Sequence, residues 1–186
     1  MSAIDVLNNV AKISASGLGP TQRVLLVTDG TLTEILEASF LERIQLIKVA
    51  QQVVNAKREH SSLEPKDEES IMERQILLRG SESGRNYVYA ESLIAVDRLG
   101  PAMSDELLNS QVPLGRLWLE HKLETFKEMV EVDYRASGEL SKYFDGDGAS
   151  LLLVRKYRVW SGKRVVMVVT EYIPTFYDYR PPSMRR

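Results

Sequence analysis

Two charged residues lie within strand patterns that are otherwise apolar. Glu171 shares one face of RVVMVVTEYI with apolar residues, and Arg74 shares one face of RQILLRG with Ile76 and Leu78, because residues of equal parity in a strand point to the same side. A buried carboxylate must be paired with a cation or protonated, and arginine is suited to a two-point grip on a carboxylate. Glu171 is therefore half of a structural ion pair, a residue at a strand end that frays toward water, or an acid lining a ligand cavity. Arg74 is either a surface arginine at a strand edge or an anion clamp.

A third candidate is VPLGR at residues 112–116. Pro113 fixes φ, Gly115 allows the backbone to approach a ligand closely, and the unpaired amides of a starting helix attract an anion. The same residues are also common turn chemistry, so this motif alone does not establish a binding site.

The stretch VLLVTDGTLTEILE at residues 24–37 resembles the opening of a haloacid-dehalogenase-type phosphatase. Such an enzyme needs two aspartates in the arrangement D-x-D-G-T, but Val27 occupies the nucleophile position and only Asp29 is present. The order of elements below also does not support the parallel sheet of those enzymes. The stretch instead predicts a turn at Asp29-Gly30 and a capping box between Thr31 and Glu34, which starts a helix ending near residues 39–41.

Composition narrows the function classes. The 186 residues include 24 basic and 26 acidic side chains, so no broad cationic surface is expected to hold nucleic acid or an anionic membrane. Cysteine is absent, which removes disulfides and thiolate chemistry and fits a reducing cytoplasm. The two histidines are His60, expected in a solvated loop, and His121, so a histidine metal site is not expected. No apolar run approaches the roughly 20 residues of a membrane span, and the N-terminus lacks the features of a signal peptide.

The remaining patterns predict a single α+β domain with an antiparallel sheet, because hairpin strands run together and helices are grouped between them. Ser104 is expected to cap one helix and Pro113 to open another within residues 99–121. A helix is expected at residues 4–13, a charged loop at 57–69, and strands at 43–55, 71–80, 85–96, 126–135, 151–160 and 164–173.

Other polar and aromatic residues have ordinary interpretations. Glu91 is either a solvated edge charge or a cavity group. The charges of the penultimate strand are expected to face solvent, although one of them is placed to neutralise Glu171 across the hairpin. These are Arg155, Lys156 and Arg158. Tyr87, Tyr89 and Trp118 are expected to pack in the core or against hairpins.

The order and spacing of these motifs resemble those of chorismate pyruvate-lyases. The motifs are Arg74 in ERQILLRG, Leu114 and Gly115 in PLGR, the turn in WSGKRVV and Glu171 in VVTEYIP. DGTLT is similar to the D-S-M-T element of the same enzymes, and RNYVYAES resembles a signature of a poorly characterised branch. The resemblance covers about residues 25–178.

The resemblance implies a six-stranded antiparallel sheet whose helices close over a buried ligand cavity. It places this domain at residues 23–178, after an N-terminal helix and linker at 1–22 and before a disordered tail at 179–186. The family eliminates pyruvate from chorismate to give 4-hydroxybenzoate, with no metal or organic cofactor. Arg74 and the Leu114 amide, in the Leu114–Gly115 turn, would hold the ring carboxylate. Glu171 would meet the ring hydroxyl and assist proton handling.

One departure and one alternative accompany this resemblance. Glu91 stands where better-known bacterial enzymes have an arginine, and a reversed charge near the cavity would alter the substrate or the activity.

The alternative is a non-catalytic domain that binds a small carboxylate, as in the effector-sensing domains of bacterial regulators. Those domains usually follow a winged helix of about 70 residues, for which the first 25 residues are too short. The oligomeric state is left open.

Overall fold

The fold was analysed in a computed structural model that describes residues 18–66, 68–109 and 114–175, apart from the side chains of residues 58, 59, 116 and 119. The predicted helix at residues 4–13 and the predicted tail at 179–186 lie outside the described residues.

Six antiparallel strands form one sheet, and each predicted strand is found within a few residues of its expected bounds. The strands are β1 (Ile44–Asn55), β2 (Ser70–Gly80), β3 (Asn86–Ala95), β4 (Phe126–Ala136), β5 (Leu151–Ser161) and β6 (Arg164–Pro174). The order across the sheet is β1-β2-β3-β6-β5-β4, with β2–β3 and β5–β6 forming the two predicted hairpins. The α+β fold with a six-stranded antiparallel sheet is therefore confirmed.

Four α-helices among the described residues cover one face of the sheet. They are α1 (Pro20–Val27), α2 (Leu32–Phe40), α3 (Pro101–Asn109) and α4 (Leu114–Glu120). Helices α1 and α2 pack over one part of this face and form a core with residues such as Leu25, Leu36 and Val88. Helices α3 and α4 pack over another part through residues such as Leu107 and Leu117. The space between these two cores is where a ligand site is possible.

Short 3₁₀ segments cover the opposite face. Arg58–Leu63 contributes Leu63 to a small apolar cluster, and Gly138–Tyr143 is followed by Phe144, which packs in another. No helix in the described part of the chain is long and apolar enough to cross a membrane.

Three local predictions are wrong. Thr31 precedes α2, but its hydroxyl makes no capping hydrogen bond and Oγ1 is buried without a described partner. Ser104 lies inside α3, which begins at Pro101, and its hydroxyl donates to the Val96 carbonyl at 3.0 Å. His60 is only 1% exposed, because the 3₁₀ segment that carries it folds onto the sheet, where Nε2 lies 2.9 Å from a Glu73 carboxylate oxygen.

Candidate functional site

A pocket of about 320 Å³ lies between the helices and the sheet. Its lining includes all four residues that the sequence analysis selected, namely Arg74, Leu114, Gly115 and Glu171. A volume of this size is at the lower end of the roughly 300–1,000 Å³ typical of small-molecule sites. Closure of this pocket over a bound ligand stays a prediction.

Arg74 brings an unpaired positive charge to the pocket. The side chain is 2% exposed, and its Nε and Nη2 atoms are buried with no hydrogen-bond partner among the described residues. Burial lowers the pKa of Arg74, because removal from water disfavours the charged form. An arginine nevertheless stays protonated, so the pocket contains a guanidinium that forms no ion pair with the described residues. Ser92, also buried, is its cross-strand neighbour on β3 and lines the same pocket.

Glu171 is one partner of a buried ion pair. Arg155 lies opposite it in the β5–β6 register, and its Nε donates to Glu171 Oε2. The Tyr157 hydroxyl donates to Oε1 at 3.0 Å. Arg155 also donates from Nη1 to the Leu25 carbonyl, so it links the sheet to α1. The interpretation of Glu171 as half of a structural ion pair is confirmed. The same carboxylate is also part of the pocket wall, and its role as an acid towards a ligand stays a prediction.

The pKa values of Tyr157 and Arg155 are shifted by their burial and by the neighbouring Glu171 carboxylate. Burial raises the pKa of Tyr157 well above its usual value, and the adjacent Glu171 raises it further. Burial alone would lower the pKa of Arg155, but Glu171 and Tyr157 beside it hold that pKa above its ordinary value. Tyr157 is thus a neutral donor and Arg155 a permanent cation, and both orient the Glu171 carboxylate.

Helix α4 carries Leu114 and Gly115 to the pocket and packs on the loop before α2. A Cβ added at Gly115 would lie 2.3 Å from Thr31 Cγ2 and 3.2 Å from Thr31 Cβ. Gly115 is therefore required for the contact between these two elements, as well as lying in the pocket wall. The buried Thr31 Oγ1, which has no described partner, lies in the same wall.

The sequence analysis did not select Arg155, Tyr157, Ser92 or Lys127, all of which line the pocket. The expectation that Arg155 faces solvent is wrong, since it is 1% exposed, but the expectation that one charge of this strand neutralises Glu171 across the hairpin is confirmed by Arg155. The available signal was the hairpin, which places Arg155 within one residue of the position opposite Glu171. Tyr157 lies two residues after Arg155 in β5, so it is expected on the same face of the sheet. Ser92 is expected on the pocket face because it is the cross-strand neighbour of Arg74. For Lys127 the strand pattern gave no face assignment.

Lys127 reaches the pocket from the edge strand β4. Its Nζ donates to the Gly30 carbonyl at 3.0 Å and lies 5.4 Å from the centroid of the Tyr157 ring. Burial and the nearby Arg155 lower the pKa of Lys127, and Glu171 and Asp29 offset this only in part.

Glu91 lies on the opposite face of the sheet from the pocket. Its carboxylate accepts hydrogen bonds from Tyr89 at 3.1 Å and from Tyr172 at 3.5 Å. Its chain neighbours Ala90 and Ser92 line the pocket, whereas Glu91 points away because side chains alternate along a strand. The expectation of a reversed charge near the cavity is therefore wrong.

Within residues 18–66, 68–109 and 114–175, no three His, Asp or Glu side chains are grouped closely enough to hold a metal ion. The charged and hydroxyl groups of the pocket lining are two guanidinium groups, an ammonium group, three carboxylates and several hydroxyls.

Comparisons with known proteins agree with the motif order. A family described as chorismate pyruvate-lyase, Rv2949c-like, matches residues 26–179. The chorismate pyruvate-lyase of Mycobacterium leprae is 33% identical over 154 residues, which cover 81% of this chain and 72% of that protein. The chorismate pyruvate-lyase of Mycobacterium tuberculosis is 32% identical over 154 residues, covering 81% and 77%.

Solved structures with a similar fold include ligand-binding domains of regulators. The effector domain of PhnF from Mycobacterium smegmatis has a TM-score of 0.61 at 11% identity, covering 80% of this chain and 90% of that chain. The C-terminal domain of the histidine utilization repressor from Pseudomonas syringae pv. tomato has a TM-score of 0.58 at 15% identity, covering 77% and 98%. At these identities the likeness shows a shared fold alone.

Proposed function

Because the chain belongs to the Rv2949c-like chorismate pyruvate-lyase family, we propose that it eliminates pyruvate from chorismate and releases 4-hydroxybenzoate. In this reaction the ether bond between the ring and the enolpyruvyl group breaks. The ring carbon that bears the hydroxyl loses its proton, and the leaving enolpyruvate gains a proton to become pyruvate. The ring becomes aromatic, and atoms and charges balance.

The observation that carries the proposal is the buried guanidinium of Arg74, which lines a small pocket and whose Nε and Nη2 atoms have no hydrogen-bond partner among the described residues. A cation in this state is costly unless a ligand supplies the opposite charge. A carboxylate satisfies a guanidinium through two parallel hydrogen bonds. Arg74 therefore holds the ring carboxylate of chorismate, with a further hydrogen bond from the Leu114 amide next to Gly115.

Glu171 serves the other end of the ring. Arg155 and Tyr157 fix its carboxylate within the pocket wall, so it accepts a hydrogen bond from the ring hydroxyl and assists proton handling as aromaticity develops. Aromatisation supplies the driving force, and the protein contributes positioning between the two poles. The proposed reaction uses no metal or organic cofactor.

The direct test is an assay of purified protein with chorismate, in which released pyruvate and 4-hydroxybenzoate are both quantified. We expect both products in equal amounts. Arg74→Ala should lower kcat/KM by about a hundredfold or more, since a charge-assisted contact in a buried site is lost. Arg79→Ala, on the same strand but outside the pocket lining, is the matched control and should stay near the wild-type rate. Folded wild-type protein that yields neither product across a range of pH would refute the proposal.

A second candidate function is a non-catalytic domain that binds a small carboxylate, which the fold shared with effector domains favours. The presence of both Arg74 and Glu171 in one pocket favours the enzyme, because a sensor needs no acid opposite its anion clamp. Calorimetry beside the assay separates the two functions. A sensor would bind chorismate and leave it intact, whereas a lyase would bind 4-hydroxybenzoate and form it.

A further inference from the structure

The pocket has more positive charge than its one ion pair neutralises. Arg155 is paired with Glu171. Among the described residues, Nε and Nη2 of Arg74 have no hydrogen-bond partner, and the Lys127 ammonium donates to the neutral carbonyl of Gly30. Within the described part of the chain, neither Arg74 nor Lys127 forms an ion pair. Asp29 and Glu34, the other two carboxylates of the lining, are exposed, and Asp29 influences Lys127 only at a distance. Two cations are therefore available to an anionic ligand.

These two cations approach the pocket from different sides. Arg74 is on β2 and Lys127 on the edge strand β4, with β3, β6 and β5 between them. Four strand spacings correspond to about 19 Å between the two backbones. Both side chains extend inward over the shared sheet face, because Arg74 and Lys127 both line the pocket. A single small ligand that contacts both side chains would need an anionic group at each end.

The position of Lys127 is fixed by the groups around it. Its ammonium lies over the Tyr157 ring and is held by the Gly30 carbonyl, in the loop between α1 and α2. The Lys127 side chain thus extends from the edge strand β4 to the loop between α1 and α2, on the side of the pocket where Arg155 and Glu171 lie. An anion that reaches this side meets a preorganised, partly desolvated cation.

From this arrangement we propose that Lys127 binds the second carboxylate of chorismate, the one carried by the enolpyruvyl group, while Arg74 binds the ring carboxylate. This inference rests on the proposed function and adds that the site selects dicarboxylates. Lys127 is a substrate-binding and specificity-determining residue. After cleavage the two carboxylates belong to two products, so pyruvate keeps the contact with Lys127 and 4-hydroxybenzoate keeps only the contact with Arg74.

The test compares a dicarboxylate with a monocarboxylate on the same variants. Lys127→Met should raise the KM for chorismate by about tenfold to a hundredfold, because a charge-assisted contact is lost, while the Kd of 4-hydroxybenzoate from calorimetry changes by less than about twofold. Lys127→Arg should restore chorismate binding to within about fivefold of wild type, since it keeps the charge. Lys156→Met, a lysine on the opposite sheet face, should change neither value.

The outcomes separate this inference from the proposed function. If wild type converts chorismate but Lys127→Met weakens both ligands equally, or neither, the inference is overturned and the lyase activity stands. A loss that Lys127→Arg does not rescue also overturns it, because the effect is then structural. If wild type binds chorismate without converting it, the proposed lyase activity is refuted. The inference about Lys127 is then tested by binding alone: Lys127→Met should raise the Kd of chorismate at least tenfold, and a smaller change overturns the inference. A wild-type protein that does not bind chorismate overturns both.

Discussion

At the scale of single residues, the pair formed by Arg155 and Glu171 has both a structural and a chemical role. Arg155 is 1% exposed, and it bonds both the Glu171 carboxylate and the Leu25 carbonyl of α1. Breaking a buried pair on one side leaves an uncompensated charge, which costs far more than the pair itself contributes. A substitution of either partner therefore changes stability as well as activity, and the two effects have to be measured separately.

Glu171→Gln should lower the free energy of unfolding by about 3 kcal/mol, because Arg155 then stays buried without its carboxylate. It should also slow turnover of chorismate while the Kd of 4-hydroxybenzoate changes little, since Arg74 still holds the ring carboxylate. Chemical denaturation, initial rates and calorimetry measure the three quantities. Unchanged turnover would remove Glu171 from the mechanism.

The double variant Arg155→Met/Glu171→Gln separates folding from chemistry. Removing both charges should recover at least half of the stability lost in Glu171→Gln, because no unpaired buried ion remains. Turnover should stay slow, because the carboxylate is still absent. Recovery of turnover together with stability would show that Glu171 acts only through the fold.

At the scale of elements, the site depends on the contact between α4 and the loop before α2. Thr31 Cγ2 occupies the space that a side chain at position 115 would need. Both elements contribute to the pocket wall, so a shift of either one changes the position of the Leu114 amide relative to Arg74. A displacement of about 1 Å is enough to reduce catalysis substantially.

Gly115→Ala should therefore lower kcat/KM for chorismate by about tenfold or more, because α4 must move away from Thr31. Thr31→Ser removes the methyl group that causes the collision, so the double variant Thr31→Ser/Gly115→Ala should recover most of the lost activity. Thr31→Ser alone is the control and should remain active. A double variant no better than Gly115→Ala would contradict this explanation of the glycine.

The β2–β3 turn gives a prediction about pH. Glu42, just before β1, accepts hydrogen bonds from the amide and hydroxyl of Ser83, the amide of Glu82 and the hydroxyl of Tyr87. Partial burial works against ionisation, but the hydrogen bonds, led by that of Tyr87, outweigh it and lower the pKa of Glu42 from 4.5 to about 2. A carboxyl group whose pKa is depressed in the folded state stabilises the fold above its unfolded pKa. That contribution is lost as the pH falls from 4.5 towards 2.

Glu42→Gln should accordingly flatten the acid limb of the stability curve. Wild type should lose about 1–2 kcal/mol more than Glu42→Gln between pH 5 and pH 2.5, after allowance for solvent screening at this partly exposed site. Denaturant titrations at each pH measure this difference. Glu34→Gln, an exposed carboxylate on α2, is the control and should follow the wild-type curve. Parallel curves for wild type and Glu42→Gln would contradict the prediction.

The hairpins show how far the sequence specifies the site. Alternation in β2, β3, β5 and β6 predicts the strands and the faces of Arg74 and Glu171, because period two follows directly from strand geometry. Alternation also limits the partner of Glu171 to a charge of the penultimate strand, but it does not say which of the three charges this is. Counting the same number of residues back along β5 and forward along β6 from the turn would place Val154 opposite Glu171. A bulge between Val159 and Trp160 shifts the register by one residue, so that Arg155 lies opposite Glu171 instead. Bulges depend on tertiary packing and leave no clear pattern in a single sequence.

At the scale of the whole molecule, the helix layer determines what the sheet face becomes. Two apolar cores, one under α1 and α2 and one under α3 and α4, exclude water from the sheet on both sides of the pocket. Arg74 lies between them with no described partner, so the free protein carries the cost of a buried, unsatisfied cation. Functional sites commonly hold such unfavourable groups, and their removal stabilises the fold at the expense of activity.

Arg74→Met should therefore keep or raise the free energy of unfolding, by up to about 3 kcal/mol, while it removes activity with chorismate. Arg155→Met is the matched control, since it removes an equally buried arginine of the same pocket that is paired, and it should destabilise the protein by about 3 kcal/mol. Addition of 4-hydroxybenzoate should raise the melting temperature of wild type by mass action but leave that of Arg74→Met unchanged. Denaturant and thermal unfolding of the three proteins, with and without the ligand, measure these effects. An Arg74→Met protein as unstable as Arg155→Met would show that Arg74 serves the fold rather than a ligand.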